Sequence, residues 1–493
     1  MFRRRAAAVR TTGVIGHAMS SPPVSMQSAS PSARARALVA LLTQSKSGDP
    51  LDEVCNRLWD RQAMDGRDRA FAMELVYGVL RRQETLDWRL EPALKKPLPR
   101  LPLMVQMLLR MGMYQLAYMD RVPASAAVNE SVNLAKANKA QLGRDWSGLV
   151  NAVLRTVIRL PERPFPGLHP EPALALSIRY AVPQWLCTRW VEHMGIERAE
   201  AACQSVSAVP VLTLRVNRQR VTRDAFLAQL VGAGIAARPT TVSPVGVMLE
   251  EGRAVTTIPG FQDGVFYVED EAAQLVPPLL DPHPDERLLD VCAAPGGKAT
   301  HLAELMSNRG QIVAMDRHAV RLQVLKENCQ RLGVAIISPV VGDARELGMI
   351  APCQKIETQL PPLGVFDRIL VDAPCSGIGV LRRHPDAKGK KDVGMFARHQ
   401  VLQGEILERA FTVLRPGGVL VYSTCSTEPE ETEAVIIRFC QDHADCARES
   451  ILPWIPAPAR PFVTAQGALS TMGNTLGMDG FYAVRLRKTQ GSL

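Results

Sequence analysis

From Arg287 onward the chain repeats one unit: a short, largely apolar run, a turn rich in small or acidic residues, then an amphipathic helical stretch. The runs are Leu288–Val291, Ile312–Met315, Val340-Val341, Ile369–Val371 and Val419–Tyr422. Helical periodicity covers His301–Met306, Ala319–Leu332 and Gln403–Leu414, and Arg415-Pro416-Gly417-Gly418 turns the chain into the last run. Apolar runs without alternation read as strands buried on both faces, which calls for helices on both sides of a parallel sheet. Residues 281–490 are therefore expected to form a doubly wound, Rossmann-like domain of strand order 3-2-1-4-5.

Ligands of such a sheet bind beyond the carboxyl ends of its strands. The first run leads into Asp290-Val291-Cys292-Ala293-Ala294-Pro295-Gly296-Gly297-Lys298. Its small residues and two glycines let the backbone approach a ligand closely. The spacing is not GxGxxG, and no Walker Ser/Thr follows the GK, which argues against a pyrophosphate. Asp316 ends the second run and is placed to accept ribose hydroxyls, while Gly342-Asp343 ends the third and is placed to meet an adenine edge. Either aspartate alone reads equally well as a helix N-cap. Together, at βα spacing, they point to an adenosyl ligand.

The fourth run leads into Asp372-Ala373-Pro374-Cys375-Ser376-Gly377, and the fifth into Ser423-Thr424-Cys425-Ser426. In the expected strand order, runs one, four and five end side by side. Two thiols and a carboxylate then meet beside the glycine-rich loop. A lone buried cysteine is ordinarily a small hydrophobe; two at neighbouring strand exits fit nucleophilic chemistry. Thr427 with Glu430 fits a capping box opening a helix to about Cys440. Arg382-Arg383-His384-Pro385-Asp386 reads as either a phosphate grip or a solvated loop.

The first third differs in texture. From Ser32 to about Arg159 the apolar period is helical, through Ala70–Val79, Leu103–Tyr118, Ala126–Leu134 and Trp146–Ile158, with Pro97, Pro99, Pro102 and Pro123 between helices. An all-α bundle over 32–160 is expected. Residues 1–160 hold 24 Lys and Arg against 13 Asp and Glu, the rest 34 against 36. A basic bundle on a near-neutral body suits a polyanionic partner or a merely solvated surface. A Pro-rich linker follows, then a small α/β or α+β module over 170–280, with strands over Val211–Val216, Val247–Glu250 and Gly264–Val268 and helices over Pro183–His193 and Arg223–Gly232.

Residues 1–31, Arg-, Ser- and Ala-rich, have no acidic residue; they read as a disordered leader, with a mitochondrial presequence or a start at Met19 or Met26 as alternatives. The ten cysteines show no CxxC pair, against a disulfide framework or a metal site and in keeping with a reducing, cytoplasmic compartment. No run of eighteen apolar residues suggests a membrane helix.

Cys292–Lys298, Asp316, Asp343, Asp372–Ser376 and Thr424-Cys425 together resemble the RNA cytosine-C5 methyltransferase family (NOL1/NOP2/Sun). The resemblance implies S-adenosyl-L-methionine as cofactor, held by Cys292, Ala293, Ala294, Pro295, Gly296, Gly297, Lys298, Asp316, Asp343 and Asp372. It implies Cys425 as nucleophile and Cys375 as the thiol that aids product release, with Asp372 as the acid near ring nitrogen 3. Leu109–Gln115, Arg121–Pro123, Ala127–Glu130 and Val150–Arg155 are similar to NusB-like RNA-binding domains. That combination implies a monomeric enzyme acting on RNA, bacterial 16S ribosomal RNA foremost, with no DNA or membrane partner. A transfer-RNA substrate and a non-catalytic assembly factor are the alternatives. A thiol hydrolase would need a histidine beside Cys425, and His301 and His384 are the candidates in sequence. The chain departs from the family at Ser125, Glu269, Gly389, Thr432 and in the Pro-rich stretch Ala351–Leu363.

Overall fold

The structure, a computed structural model, describes residues 32–60, 64–348 and 366–490. The leader expected over 1–31 and the stretch Ala351–Leu363 lie outside the described residues. The chain divides into two compact units, one of residues up to Val79 with Arg89–Glu162, the other of Leu80–Trp88 with Arg163–Leu493.

The first unit is helical: Ala33–Ser47, Leu51–Trp59, most of Gly66–Arg81, Leu103–Tyr118, Ala124–Ala137 and Ser147–Arg159. Ser32 opens the first helix by accepting the Ala35 N–H on its Oγ, and Gly48 closes it at φ +71°. Such a cap is worth about 1 kcal/mol. Leu103–Tyr118 is buried almost all round, from Met104 to Gln115, so it forms the centre of the bundle.

The second unit begins with helices Pro172–Tyr180, Gln184–Met194 and Ile196–Ser207. A small sheet follows, of β1 (Thr213–Val216), β2 (Ala237–Pro239), β3 (Gly246–Leu249) and β4 (Phe266–Val268), ordered β2-β3-β1-β4 and antiparallel throughout. Helix Arg223–Gly232 packs on it through Phe226 and Leu230 against Leu214, Val216 and Phe266.

The large sheet comprises β5 (Arg287–Val291), β6 (Gln311–Asp316), β7 (Ile337–Val341), β8 (Phe366–Asp372), β9 (Leu414–Thr424), β10 (Cys446–Glu449), β11 (Leu469–Ser470) and β12 (Tyr482–Lys488). Its order is β10-β12-β9-β8-β5-β6-β7, with β11 against β12. The five runs read from the sequence are parallel and lie in the order 3-2-1-4-5. Residues alternate between two cores: Leu288, Ala314, Leu370 and Val421 pack with helices Gly297–Leu305 and Ala319–Leu332 on one face. Leu289, Val313, Ile369 and Leu420 pack with Gly394–Thr412 and Glu433–Asp442 on the other. Each fully buried Leu or Ile contributes roughly 1.5–3 kcal/mol by transfer alone.

The sheet is not wholly parallel. β12 runs antiparallel to β9, and β10 antiparallel to β12. Two arginines interrupt the apolar pattern of β12, which hides it from periodicity. Arg485 is 1% exposed, yet satisfied by Glu449 and the Leu279 carbonyl.

Candidate active site

The ends of β5, β6 and β7 build one half of the site. After β5 the chain passes through Cys292 at φ +63° and Gly296 at φ +104° before helix Gly297–Leu305 begins. A Cβ on Gly296 would lie 2.9 Å from the Leu325 side chain, in a conformation L-residues rarely adopt, so glycine is required there. The Ala294 N–H donates to Asp316 at 3.2 Å, and the His318 N–H donates to the same carboxylate at 2.9 Å. Asp343 closes the turn after β7. Hydrogen bonds from the Arg345 guanidinium, then from its backbone N–H, push its carboxyl pKa down to about 2. Asp316 and Asp343 line a cavity of about 100 Å³ with Cys292, Gly342, Pro374 and Ile406.

A second cavity, of about 360 Å³, is lined by the same glycine-rich loop from Ala293 to Lys298, with Asp290, Asp372, Glu269, Arg383 and Phe481. Asp290 is 1% exposed, and neither of its carboxyl oxygens has a hydrogen-bond partner among the described residues. Burial, and then the charge of Asp372, holds its pKa well above the carboxylate range. An orphaned acid at the wall of a cavity is costly unless a ligand supplies a donor. The donors and acceptors present therefore fit an adenosyl group joined to an amino acid. The carboxylates Asp316 and Asp343 stand at one end, and Asp290 awaits an ammonium at the other.

Ion pairs stiffen the second cavity. Lys298 Nζ donates to Asp372 at 2.7 Å, and Ser423 Oγ donates to the other oxygen of Asp372 at 2.8 Å. Burial alone would lower the Lys298 pKa, but the charge and hydrogen bond of Asp372 raise it above the ordinary lysine value. Arg215, fully buried, donates to Glu269, Glu304, Thr300 and the Gly297 carbonyl, tying β1 to the start of the loop's helix. Glu269, one of the departures from the family pattern, is thus an ion-pair partner. Arg382 and Arg383 each bridge Asp270 and Asp479. Arg382 is buried and Arg383 lines the second cavity, both held by the same two carboxylates, which corrects the solvated-loop reading of that pair.

The ends of β8 and β9 build the other half. Cys375 and Cys425, both half-buried, bring their sulfurs to 3.1 Å. A hydrogen bond with Cys425, then burial, raises the Cys375 pKa well above the usual thiol value, and the charges of Cys425 and Glu431 add to this. Neither thiol lines either cavity. Cys425 is nonetheless near enough for its charge to act on the Lys298 ammonium. The Gly379 N–H donates to the Cys425 carbonyl at 3.0 Å, and the Gly480 N–H to the Gly379 carbonyl at 2.9 Å. A Cβ on Gly379 would lie 2.0 Å from the Gly480 oxygen, so the Cys425 loop rests on a contact only glycine allows.

Beyond Cys425 the expected capping box does not form. Helix Glu433–Asp442 starts later, with Thr432 at its N-cap. The acids that follow Cys425 turn inward because buried donors outcompete a local cap. Glu428 accepts from Arg189 and Trp190, Glu430 from Arg189, and Glu431 from Ser376 and Ser426. His301 and His384 show no contact with either thiol. His301 is buried on helix Gly297–Leu305, and burial and then nearby Arg215 and Arg218 hold its imidazole neutral. The histidine that does approach this loop is His399, 3.0 Å from Glu431. Sequence reading passed over His399, Arg189 and Lys391, which meet the thiol loops only through the fold, and took Glu431 as part of the helix after Thr427. No group of three or more His, Cys, Asp or Glu able to hold a metal occurs among the described residues.

Comparison with known proteins adds three domain matches. Residues 277–487 match the model of 16S rRNA methyltransferase RsmB/F, 31–159 that of the NusB family, and 182–256 that of the RsmF/B-like ferredoxin-like domain. The chain is 37% identical over 458 residues to the probable ribosomal RNA small subunit methyltransferase B of Synechocystis sp., covering 93% of this chain and 99% of that protein. It is 38% identical over 461 residues to ribosomal RNA small subunit methyltransferase B of Pseudomonas putida, covering 93% and 98%. A crystal structure of a methyltransferase homolog protein from Pyrococcus horikoshii is similar with TM-score 0.53 and 28% identity, over 64% of this chain and 99% of that one.

Proposed function

Because the chain belongs to the RsmB/F family of 16S rRNA methyltransferases, we propose that it methylates carbon 5 of cytosine 967 in 16S ribosomal RNA through a covalent bond from Cys425 to the base. It is an S-adenosylmethionine-dependent methyltransferase of cytosine carbon 5 in RNA. The observation that carries the covalent reading is the pair of thiols 3.1 Å apart at the ends of two adjacent parallel strands, beside the aspartate-lined cavities.

When bound, the cofactor supplies an electrophilic methyl carbon on a sulfonium. Asp316 and Asp343 would hold its adenosine, and Asp290 with the backbone of Ala293–Gly297 its amino-acid end. Cytosine carbon 5 is too electron-poor to accept a methyl group unaided. A thiolate bonded to carbon 6 makes carbon 5 enamine-like. Cys425 forms that bond. The Lys298–Asp372 pair presents a charged donor and an acceptor toward the same cavity, so Asp372 acts by hydrogen bonding and Lys298 supports charge relocation to the ring. Loss of the carbon-5 proton to water then expels the Cys425 sulfur as thiolate and restores the aromatic ring. Cys375, whose thiol stays protonated, is placed to assist that release.

The NusB-like bundle supplies RNA affinity in this reading. Deleting residues 1–160 is expected to weaken RNA binding and flatten its dependence on salt. No helix among the described residues is long and apolar enough to cross a membrane; action in the cytoplasm as a monomer is part of the proposal. Bisulfite mapping of ribosomal RNA from cells lacking the gene tests the target. Loss of one methylated cytosine in 16S RNA, restored by the gene, is expected; an unchanged 16S pattern with a lost transfer-RNA signal refutes it.

A further inference from the structure

We propose that Glu431 is the positioning residue that sets the Cys375–Cys425 pair, by tying both thiol-bearing loops to one buried carboxylate. The inference rests on Cys425 being the nucleophile. Glu431 is wholly buried. One of its oxygens accepts the Ser376 N–H at 2.6 Å and lies 3.0 Å from His399 Nδ1. The other accepts the Ser376 hydroxyl at 2.5 Å and also the Ser426 hydroxyl. Ser376 directly follows Cys375, and Ser426 directly follows Cys425. A single anion therefore grips the residue after each thiol, and the two serine oxygens stand 3.2 Å apart.

Glu431 is itself anchored. The Tyr422 hydroxyl, on β9, donates to its carbonyl at 2.9 Å. On the opposite side Lys391 Nζ donates to the Ser376 carbonyl. Burial would raise the carboxyl pKa, but the bonds from His399, Ser376 and Ser426 prevail and hold it below the ordinary value. An ionised carboxylate can accept these three bonds through its two oxygens at once, which the single carbonyl oxygen of a neutral amide of the same shape cannot match. Its charge also acts on Cys375, which faces Cys425, the Gly377 N–H and, more distantly, Glu431; Lys391 sits near both thiols with the opposite sign. The carboxylate thus fixes where the two sulfurs stand and helps keep Cys375 protonated.

The test uses the full-length protein, S-adenosylmethionine and a 16S RNA transcript carrying 5-fluorocytosine, which retains the adduct because carbon 5 has no proton to lose. Glu431→Gln preserves shape. Adduct formation in a single turnover is expected to slow about 10- to 100-fold, with cofactor affinity within about two-fold of native. Iodoacetamide alkylation of Cys375 should shift to lower pH. Ser426→Ala should slow adduct formation about 3- to 10-fold in the same sense. A Glu431→Gln protein that forms adduct within about three-fold of the native rate overturns the proposal, as does a loss of rate matched by an equal loss of cofactor binding. Should Glu431→Gln fail to fold, Ser426→Ala decides: a slower adduct supports the proposal and a native rate overturns it. Adduct that persists in Cys425→Ala would instead remove the nucleophile reading, whatever Glu431 does.

Discussion

Asp316 and Asp343 take hydrogen bonds from N–H groups two residues further along the chain, on the turns that follow their own strands. Cys375 and Cys425 are 50 residues apart; the pairing of β8 with β9 brings their loops side by side, and Glu431 ties the two loops together. The aspartate turns of the cofactor half are thus closed locally, with Ala294 reaching across to Asp316, and the thiol half is closed by longer-range ties. A locally built turn keeps its shape when a distant contact is lost. A pair held at 3.1 Å by distant groups does not, because each tie restrains a loop that would otherwise move.

The sharpest way to break that comparison is at the thiols. Cys425→Ala is expected to reduce turnover about 10⁴-fold or more and to abolish covalent RNA capture. Cys375→Ala should instead accumulate the adduct and lower turnover about 100-fold, as seen on denaturing gels. Should the two variants exchange behaviours, the roles assigned to the two loops are reversed.

Next in size is the cofactor half. Asp316→Ala and Asp343→Ala are each expected to weaken S-adenosylmethionine binding about 10- to 100-fold by calorimetry, while thiol alkylation rates stay native. Altered alkylation would mean that the halves are not separately built. Gly379→Ala tests the long-range side: its Cβ has no room against Gly480, so a loss of about 1–3 kcal/mol in urea unfolding and slower adduct formation are expected, with cofactor binding retained. Unchanged stability there would show that the loop yields easily.

The smallest effect is electrostatic. Asp343 titrates at about 2 when folded, below the ordinary aspartate value near 3.9. A depressed folded pKa gives stability that is present above about pH 4 and lost as pH falls toward 2. The group is partly exposed, so solvent screening keeps its share under about 1 kcal/mol. Unfolding of wild type and Asp343→Asn should therefore differ slightly at pH 6 and converge near pH 2; a gap that widens on acidification contradicts the ion pair with Arg345.

The runs at Leu288–Val291 and Ile369–Val371 could be read because a strand buried on both faces is apolar nearly throughout, Asp290 being the exception that faces a cavity. Strand order 3-2-1-4-5 followed from that and from the helices between. β12 escaped notice because Arg485 is buried on it, satisfied by Glu449, a partner far away in sequence. The helix expected directly after Thr427 begins at Glu433 because Glu428 and Glu431 are claimed by Arg189, Trp190 and Ser376. Local propensity loses wherever a buried ionic partner offers more than a cap.

By itself, the order of residues determined the parallel sheet, the glycine-rich turn and which aspartates and cysteines stand at strand ends, since periodicity and turn chemistry act over a few neighbours. Tertiary structure alone decided that the two sulfurs stand 3.1 Å apart, that Asp290 has no hydrogen-bond partner among the described residues, and that Glu431 grips both loops. Those facts depend on burial and on pairings between distant segments. A hydrogen bond takes on that importance only once folding has removed the water that would otherwise satisfy it.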